Sequence, residues 1–249
     1  MKSEKIVIVG ATGVVGSSIA LKLSEMNYRL ILVSRNLKKL SYLNKKIKQK
    51  CDFYQEVYKF DIENDENDEF LEYLKINVDT IKSLIFLSRN SNYLKDDKEK
   101  LDLNSFRNEY NISLLYPVNL CLQLNKLFKD KLCSIIFTSS IYGISVPKDE
   151  LYIEEGFTPI SYSSSRAAII QASRHLSKKF YNVTNVNVVV LGGIENNQSI
   201  SFKQKYGKIC PSKKMLSKED LLHPYLYFIN APSTNFSGSV LIVDGGWTL

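Results

Sequence analysis

Seven short apolar runs, at residues 5–9, 30–33, 57–60, 84–87, 135–138, 186–191 and 240–243, alternate along the chain with stretches of helical pattern. A run that is apolar at nearly every position is buried on both faces, and runs separated by helices are joined by right-handed crossovers into a parallel sheet. The pattern therefore predicts an α/β protein: a doubly wound, seven-stranded parallel sheet with helices on both faces, in one domain spanning residues 1–249. In the first helical stretch, 14–26, Val15, Ile19 and Leu23 stand four residues apart, which turns one apolar stripe toward the sheet.

Composition narrows the class further. With 44% hydrophobic and 24% charged residues the chain has the balance of a globular protein. No apolar run approaches the roughly 18 residues that cross a membrane, and the opening strand is too short for a signal peptide, so a cytoplasmic protein without a membrane partner is expected. Thirty-three basic against 26 acidic residues give a net charge of +7, which suits anionic partners without choosing among them. Seven of the basic residues, Arg35, Lys38, Lys39, Lys45, Lys46, Lys48 and Lys50, cluster in 35–50 and read as the solvated face of a helix rather than as a nucleic-acid stripe. No nucleic-acid partner is expected. Cys51, Cys121, Cys133 and Cys210 form no C-x-x-C pair, and His175 and His223 are the only histidines, so neither a disulfide framework, a metal site nor a serine–histidine triad is indicated.

Directly after the first run comes Gly10-Ala11-Thr12-Gly13-Val14-Val15-Gly16, which opens the first helix. Glycines at this spacing permit a tight turn, close backbone approach to a ligand and close helix–strand packing, and the helix N-terminus favours a pyrophosphate. A dinucleotide site is predicted here. The second run ends in Ser34-Arg35-Asn36, with no carboxylate to repel a ribose 2′-phosphate and with Arg35 able to bind one, so NADP(H) is expected in preference to NAD(H). Asp61, followed by Ile62, is placed to reach the adenine edge.

Ser139-Ser140-Ile141-Tyr142-Gly143 follows the fifth run, and Tyr162-Ser163-Ser164-Ser165-Arg166 opens a helical stretch in which Tyr162 and Arg166 share a face. A guanidinium there favours the phenolate of a neighbouring tyrosine, and a serine hydroxyl from the strand end can hold a substrate oxygen while the tyrosine passes a proton.

With the glycine loop, Asn111, Ser140, Tyr162 and the ending Val243-Asp244-Gly245-Gly246, the chain resembles the short-chain dehydrogenase/reductase family. Within it, Ser-Ser-Ile-Tyr-Gly at 139–143, Arg89-Asn90 with Tyr93, Gly-Gly-Ile at 192–194 with Asn197-Gln198, and Phe202 with Tyr206 are similar to the flagellin-modification type of reductase from bacterial surface-sugar loci. The resemblance implies one Rossmann-fold domain. It also implies that Asn111 holds a proton-relay water, Ser140 orients the substrate, Tyr162 is the acid/base, and Arg166 stands at the position of the family lysine. Nucleotide contacts are implied for Gly10, Thr12, Gly13, Val15, Gly16, Ser34, Arg35, Asn36, Asp61, Ile62, Ser88, Tyr162, Arg166, Gly192 and Ile194.

Three departures bear on activity. Arg166 replaces the lysine, Phe86-Leu87-Ser88 replaces the usual Asn-Ala-type turn, and Leu191 replaces a proline, which should loosen the turn that presents Ile194. Arginine keeps the charge of lysine without its compact geometry. The expected function is an NADP(H)-dependent oxidoreductase acting on a hydroxyl or carbonyl of a sugar or nucleotide sugar; the alternative is a dinucleotide-binding sensor or scaffold with weak or lost catalysis. Two further segments are expected over the substrate. One is the insert between Ser140 and Tyr162, with Asp149, Glu150, Glu154 and Glu155. The other is 195–216, whose Lys203, Lys205, Lys208, Lys213 and Lys214 would suit a phosphate. Ser217-Lys218-Glu219-Asp220 reads as a capped helix start. Tyr225, Tyr227, Phe228 and Trp247 serve either the core or a homodimer or homotetramer contact.

Overall fold

The computed structural model describes residues 3–63, 67–94, 101–152, 158–231 and 234–249. Each apolar run lies in a strand: β1 Ser3–Val9, β2 Leu30–Ser34, β3 Glu56–Lys59, β4 Val78–Phe86, β5 Ser134–Ser140, β6 Asn185–Leu191 and β7 Val240–Val243, except that Phe60 and Leu87 fall just past the ends of β3 and β4. All neighbours pair in parallel, in the order β3-β2-β1-β4-β5-β6-β7. The largest boundary difference is in β4, which begins at Val78: Val78, Thr80, Ile81 and Ser83 already pair with β1, while Asp79 and Lys82 fall at register shifts and break the apolar run.

The helices are α1 Val14–Glu25, α2 Leu37–Cys51, α3 Asn67–Asn77, α4 Leu103–Tyr110, α5 Tyr116–Phe128, α6 Asp149–Tyr152, α7 Ile160–Lys179, α8 Ile200–Ile209 and α9 Leu222–Ile229. Successive residues of β1 feed opposite cores, as the two-residue period of a strand requires. Ile6 and Ile8 pack with Ile19 and Leu23 of α1, Leu40 and Ile47 of α2 and Tyr225 of α9. Val7 and Val9 face the other core, with Phe70 of α3, Leu124 of α5 and Ile169 of α7. In the basic segment Leu40, Leu43 and Ile47 turn inward while Lys38, Lys45 and Lys46 are exposed.

One expectation near the C-terminus needs correction. Ser217 does not cap a helix. Its N–H and hydroxyl both donate to the Asp220 carboxylate at 2.8 Å, which holds that carboxyl below its usual range, and α9 starts later, at Leu222. Of the four aromatic residues, Tyr225, Phe228 and Trp247 are buried in the cores, and Tyr227 is 52% exposed. Among the described residues no helix is long and apolar enough to cross a membrane, and the four cysteines are free.

Candidate active site

A cleft of about 980 Å³ crosses the C-terminal ends of the strands. It lies where β1 has β2 on one side and β4 on the other, the switch point at which open α/β sheets bind ligands. The turn from β1 into α1 forms its floor. Gly10 has φ +89°, and a Cβ there would meet the Leu87 backbone at 2.7 Å; a Cβ on Gly16 would lie 2.4 Å from the Gly10 carbonyl oxygen. These two positions require glycine. Around Gly13, by contrast, the nearest atom to an added Cβ is 3.5 Å away, so the backbone is open to a ligand. Gly13 is also the N-cap of α1, whose first turn has no side-chain cap and no acidic residue. The positive end of the helix thus faces the cleft, and the cradle fits a dinucleotide pyrophosphate.

The adenine end is built from the tips of β2, β3 and β4. The Thr12 and Ser34 hydroxyls hydrogen-bond at 2.7 Å, tying the glycine turn to β2. Asn36 accepts the Lys39 N–H at 3.0 Å and caps α2, which sets Lys39 on the cleft wall beside Arg35. Arg35 is half-exposed and pairs with Glu63 at 3.3 Å. Glu63 also accepts from the Asn90 amide at 3.3 Å and from the Tyr93 hydroxyl. Burial, and then the hydrogen bond to Glu63, push the Tyr93 phenol up to about 12. Asp61 and Ile62 also wall the cleft, and the Glu63 side chain is only 10% exposed.

At the reacting end, Ser140 is the last residue of β5, and its Oγ accepts the Tyr142 N–H at 3.2 Å. A hydroxyl that accepts one bond still has its proton to donate. Tyr162 and Arg166 lie one turn apart on α7, and the Arg166 guanidinium carbon is 5.0 Å from the Tyr162 ring centroid. The guanidinium hydrogen bonds, however, run the other way. Arg166 Nη2 donates to Glu109 Oε1 at 3.0 Å and to Ser113 Oγ at 2.7 Å, and Nη1 reaches the Thr138 carbonyl at 3.4 Å. Glu109 is fully buried, and its Oε1 also accepts from Ser113 and Ser165. Asn111 opens a π-helical turn, Asn111–Leu115, between α4 and α5; its neighbour Ile112 walls the cleft, while Asn111 is not among the wall residues. Every other residue expected at the site is.

Ser88 and Arg89 continue the wall beyond β4, with the Arg89 guanidinium carbon 5.3 Å from the Tyr162 ring centroid. Sequence reading gave Arg89 no role at the reacting centre, because it lies more than 70 residues before Tyr162 in the chain. On the other side, β6 runs through Leu191, paired with both Ser140 and Val243. The turn that follows is held despite the missing proline: Gly193 N–H donates to the Tyr206 hydroxyl at 3.0 Å, and the Gln198 amide donates to the Ile194 carbonyl at 2.8 Å.

The substrate end is aromatic. Tyr142 and Tyr152 share a hydrogen bond of 2.7 Å, and Tyr152 meets Phe202 edge-on at 5.8 Å, so α6 and α8 close on each other. This corrects the expectation for the lysines of 195–216, not for the segment, whose Asn196, Gln198 and Met215 also wall the cleft. The side of α8 that faces the cleft carries Phe202 and Tyr206, whereas Lys203, Lys208 and Lys213 border a separate depression outside it, and Lys203 pairs with Glu195 at 2.9 Å. Lys205 and Lys214 are likewise absent from the cleft wall. Glu154 and Glu155 lie outside the described residues.

Residues 4–206 match the family model described as short chain dehydrogenase. Over 118 residues, 47% of this chain, the sequence is 36% identical to a post-translational flagellin modification protein A of Campylobacter coli. The chain spans about half the length of the curated relatives it matches, 46% for this one. A short chain dehydrogenase from Leptospira borgpetersenii, solved with bound NAD+, superposes with a TM-score of 0.85 at 24% identity, covering 100% of this chain and 94% of that one. The L-sorbose reductase of Gluconobacter frateurii, solved with NADPH and L-sorbose, gives a TM-score of 0.80 at 18% identity over 99% and 97% of the two chains. At such identities the superpositions speak for the fold.

Proposed function

Because the chain belongs to the short-chain dehydrogenase family, and so to its oxidoreductases, we propose that it uses NADP(H) to interconvert a hydroxyl and a carbonyl on a sugar or nucleotide sugar of bacterial surface-glycan or flagellin-glycan biosynthesis. The observation that carries this reading is convergence: Tyr162 and Ser140, from separate elements, open into the same cleft as the glycine-built pyrophosphate cradle. When bound, the nicotinamide nucleotide supplies or accepts the hydride. The remaining work belongs to the chain. The backbone from Gly10 to Gly16 holds the pyrophosphate, Ser140 donates to the substrate oxygen, Tyr162 moves the proton, Asn111 serves the relay water, and the turn at Gly192–Ile194 receives the carboxamide.

NADP(H) is favoured by Arg35 and Lys39 on the adenine-end wall and by the lack of a carboxylate at the end of β2. A sugar is favoured by the tyrosine and phenylalanine rings of the substrate end, which offer apolar faces to sugar C–H groups and hydroxyls to sugar oxygens. The name of the Campylobacter coli relative agrees with it. The exposed Tyr227 fits a homodimer or homotetramer contact.

A second reading has one observation in its favour. Glu109 engages the Arg166 guanidinium, which departs from the family's lysine, and this suits a dinucleotide-binding sensor or scaffold with weak hydride transfer. A fluorescence titration with NADPH and NADH at one ionic strength tests the first reading, which expects selective NADPH binding; binding of neither nucleotide would refute it. Keto-sugar screens of the wild type and Arg166→Lys then separate the two. A large gain in the variant marks a degenerate enzyme, and little change or a loss marks one adapted to arginine.

A further inference from the structure

Arg166 and Arg89 both lie against the Tyr162 ring, but their charges differ in effect. Arg166 is 7% exposed and sits 3.0 Å from the fully buried carboxylate of Glu109. Two opposite unit charges that close act on a third group as a dipole, so part of the field of Arg166 at Tyr162 is offset by Glu109. Arg89 leaves the end of β4 through Leu87 and Ser88, is exposed, walls the cleft and has no carboxylate partner among the described residues. Among the described residues, Tyr142, from the turn after β5, and Tyr152 of α6 also face Tyr162. Burial raises both phenols above their ordinary value, so at neutral pH neither adds a charge. Among the described residues Arg89 is thus the cation beside Tyr162 that no neighbouring anion offsets.

We infer that Arg89 is the group that sustains the phenolate of Tyr162, so that the positive charge of the reacting centre reaches the tyrosine across the cleft from the end of β4 instead of from its own helix. This rests on the reading of Tyr162 as the acid/base group. In the reducing direction the Tyr162 O–H bond breaks as an O–H bond forms on the substrate oxygen, and the phenolate left behind is reprotonated from solvent. In the oxidising direction the phenolate takes the substrate hydroxyl proton. Either way the phenolate is an obligatory state, and a cation about 5 Å from the ring lowers its energy. The same geometry accounts for arginine at position 166: with the working cation supplied elsewhere, that side chain neutralises Glu109.

The test needs no substrate. Full-length protein with isotope-labelled tyrosine is titrated with base by NMR in the absence of nucleotide, and the Tyr162 signal is assigned by its loss in Tyr162→Phe. Arg89→Met is expected to raise the midpoint of that signal by about one pH unit, a tenfold change in proton affinity. Arg89→Lys should recover at least half of the shift, and Arg166→Lys should produce less than half of it. A midpoint unmoved or lowered in Arg89→Met, or moved as far by Arg166→Lys, overturns the inference. NADPH binding by the wild type is measured separately, so failure of the nucleotide reading and failure of the Arg89 assignment give different results.

Discussion

The two ends of the cleft are built by different means. At the phosphate end, seven consecutive residues, 10–16, make a cradle that acts through backbone N–H groups and a helix terminus, and its requirements are negative: no Cβ at Gly10 or Gly16. At the reacting end the working groups are side chains from β4, β5, α4 and α7, and one pair, Glu109 with Arg166, is 57 residues apart in sequence. A backbone cradle has few solutions, so it keeps its residues. A side-chain site needs only charge and hydroxyl at certain points in space, so it can exchange one supplier for another, as inferred above for the lysine position.

Tyr162→Phe is the sharpest way to break this contrast. On the proposed role of Tyr162 it removes the proton carrier and leaves the cradle untouched, so turnover should fall about a thousandfold while NADPH affinity, read by the same fluorescence titration, stays within a factor of two or so. A variant that loses both together would mean that the ends are not separable. The next largest effect is on stability. Glu109→Ala leaves the Arg166 guanidinium buried without its anion, and unfolding free energy in urea should drop by about 3 kcal/mol or more. Replacing both partners, Glu109→Leu with Arg166→Met, should recover most of that loss. At the phosphate end Thr12→Val removes only the 2.7 Å bond to Ser34 and should cost about 1 kcal/mol.

The same contrast explains what the sequence revealed. The seven runs located the sheet because strands buried on both faces are apolar at nearly every position, and the glycine spacing located the cradle because its geometry is local. β4 was read six residues short, since its pairing with β1 through Val78, Thr80, Ile81 and Ser83 is interrupted by the register shifts at Asp79 and Lys82, which leave no continuous apolar signal. Tyr162 and Ser140 were legible in combination with the glycine loop, because either residue alone reads as an ordinary surface polar group, and the family resemblance then gave each its role. Where Arg166 points was not legible at all: four-residue spacing puts it on the tyrosine's face, but Glu109, a residue with no local relation to it, decides which way its donors turn. The lysines of 203–214 misled for a related reason. Their number suggests an anion, while helix periodicity turns Phe202 and Tyr206 to the cleft and the amines outward.

Arg35 is the exception at the phosphate end, because its partner is not local either. Its guanidinium pairs with Glu63, which β3 delivers from 28 residues away and which Asn90 and Tyr93 hold in place. A 2′-phosphate bound there would share Arg35 with that carboxylate and meet its negative charge. Arg35→Asp should therefore lower NADPH affinity about tenfold or more, by losing a charge-assisted contact and adding repulsion, with far less effect on NADH. The smallest effect expected is the most diagnostic. Glu63→Gln keeps the hydrogen bonds to Asn90 and Tyr93 within reach but removes the competing charge from a half-exposed arginine, an interaction worth about 0.2–1 kcal/mol. NADPH should then bind about threefold more tightly and NADH unchanged. Equal gains for both nucleotides would place Glu63 against the adenine instead, and a loss for both would show that its pairing with Arg35 shapes the pocket that the nucleotide enters.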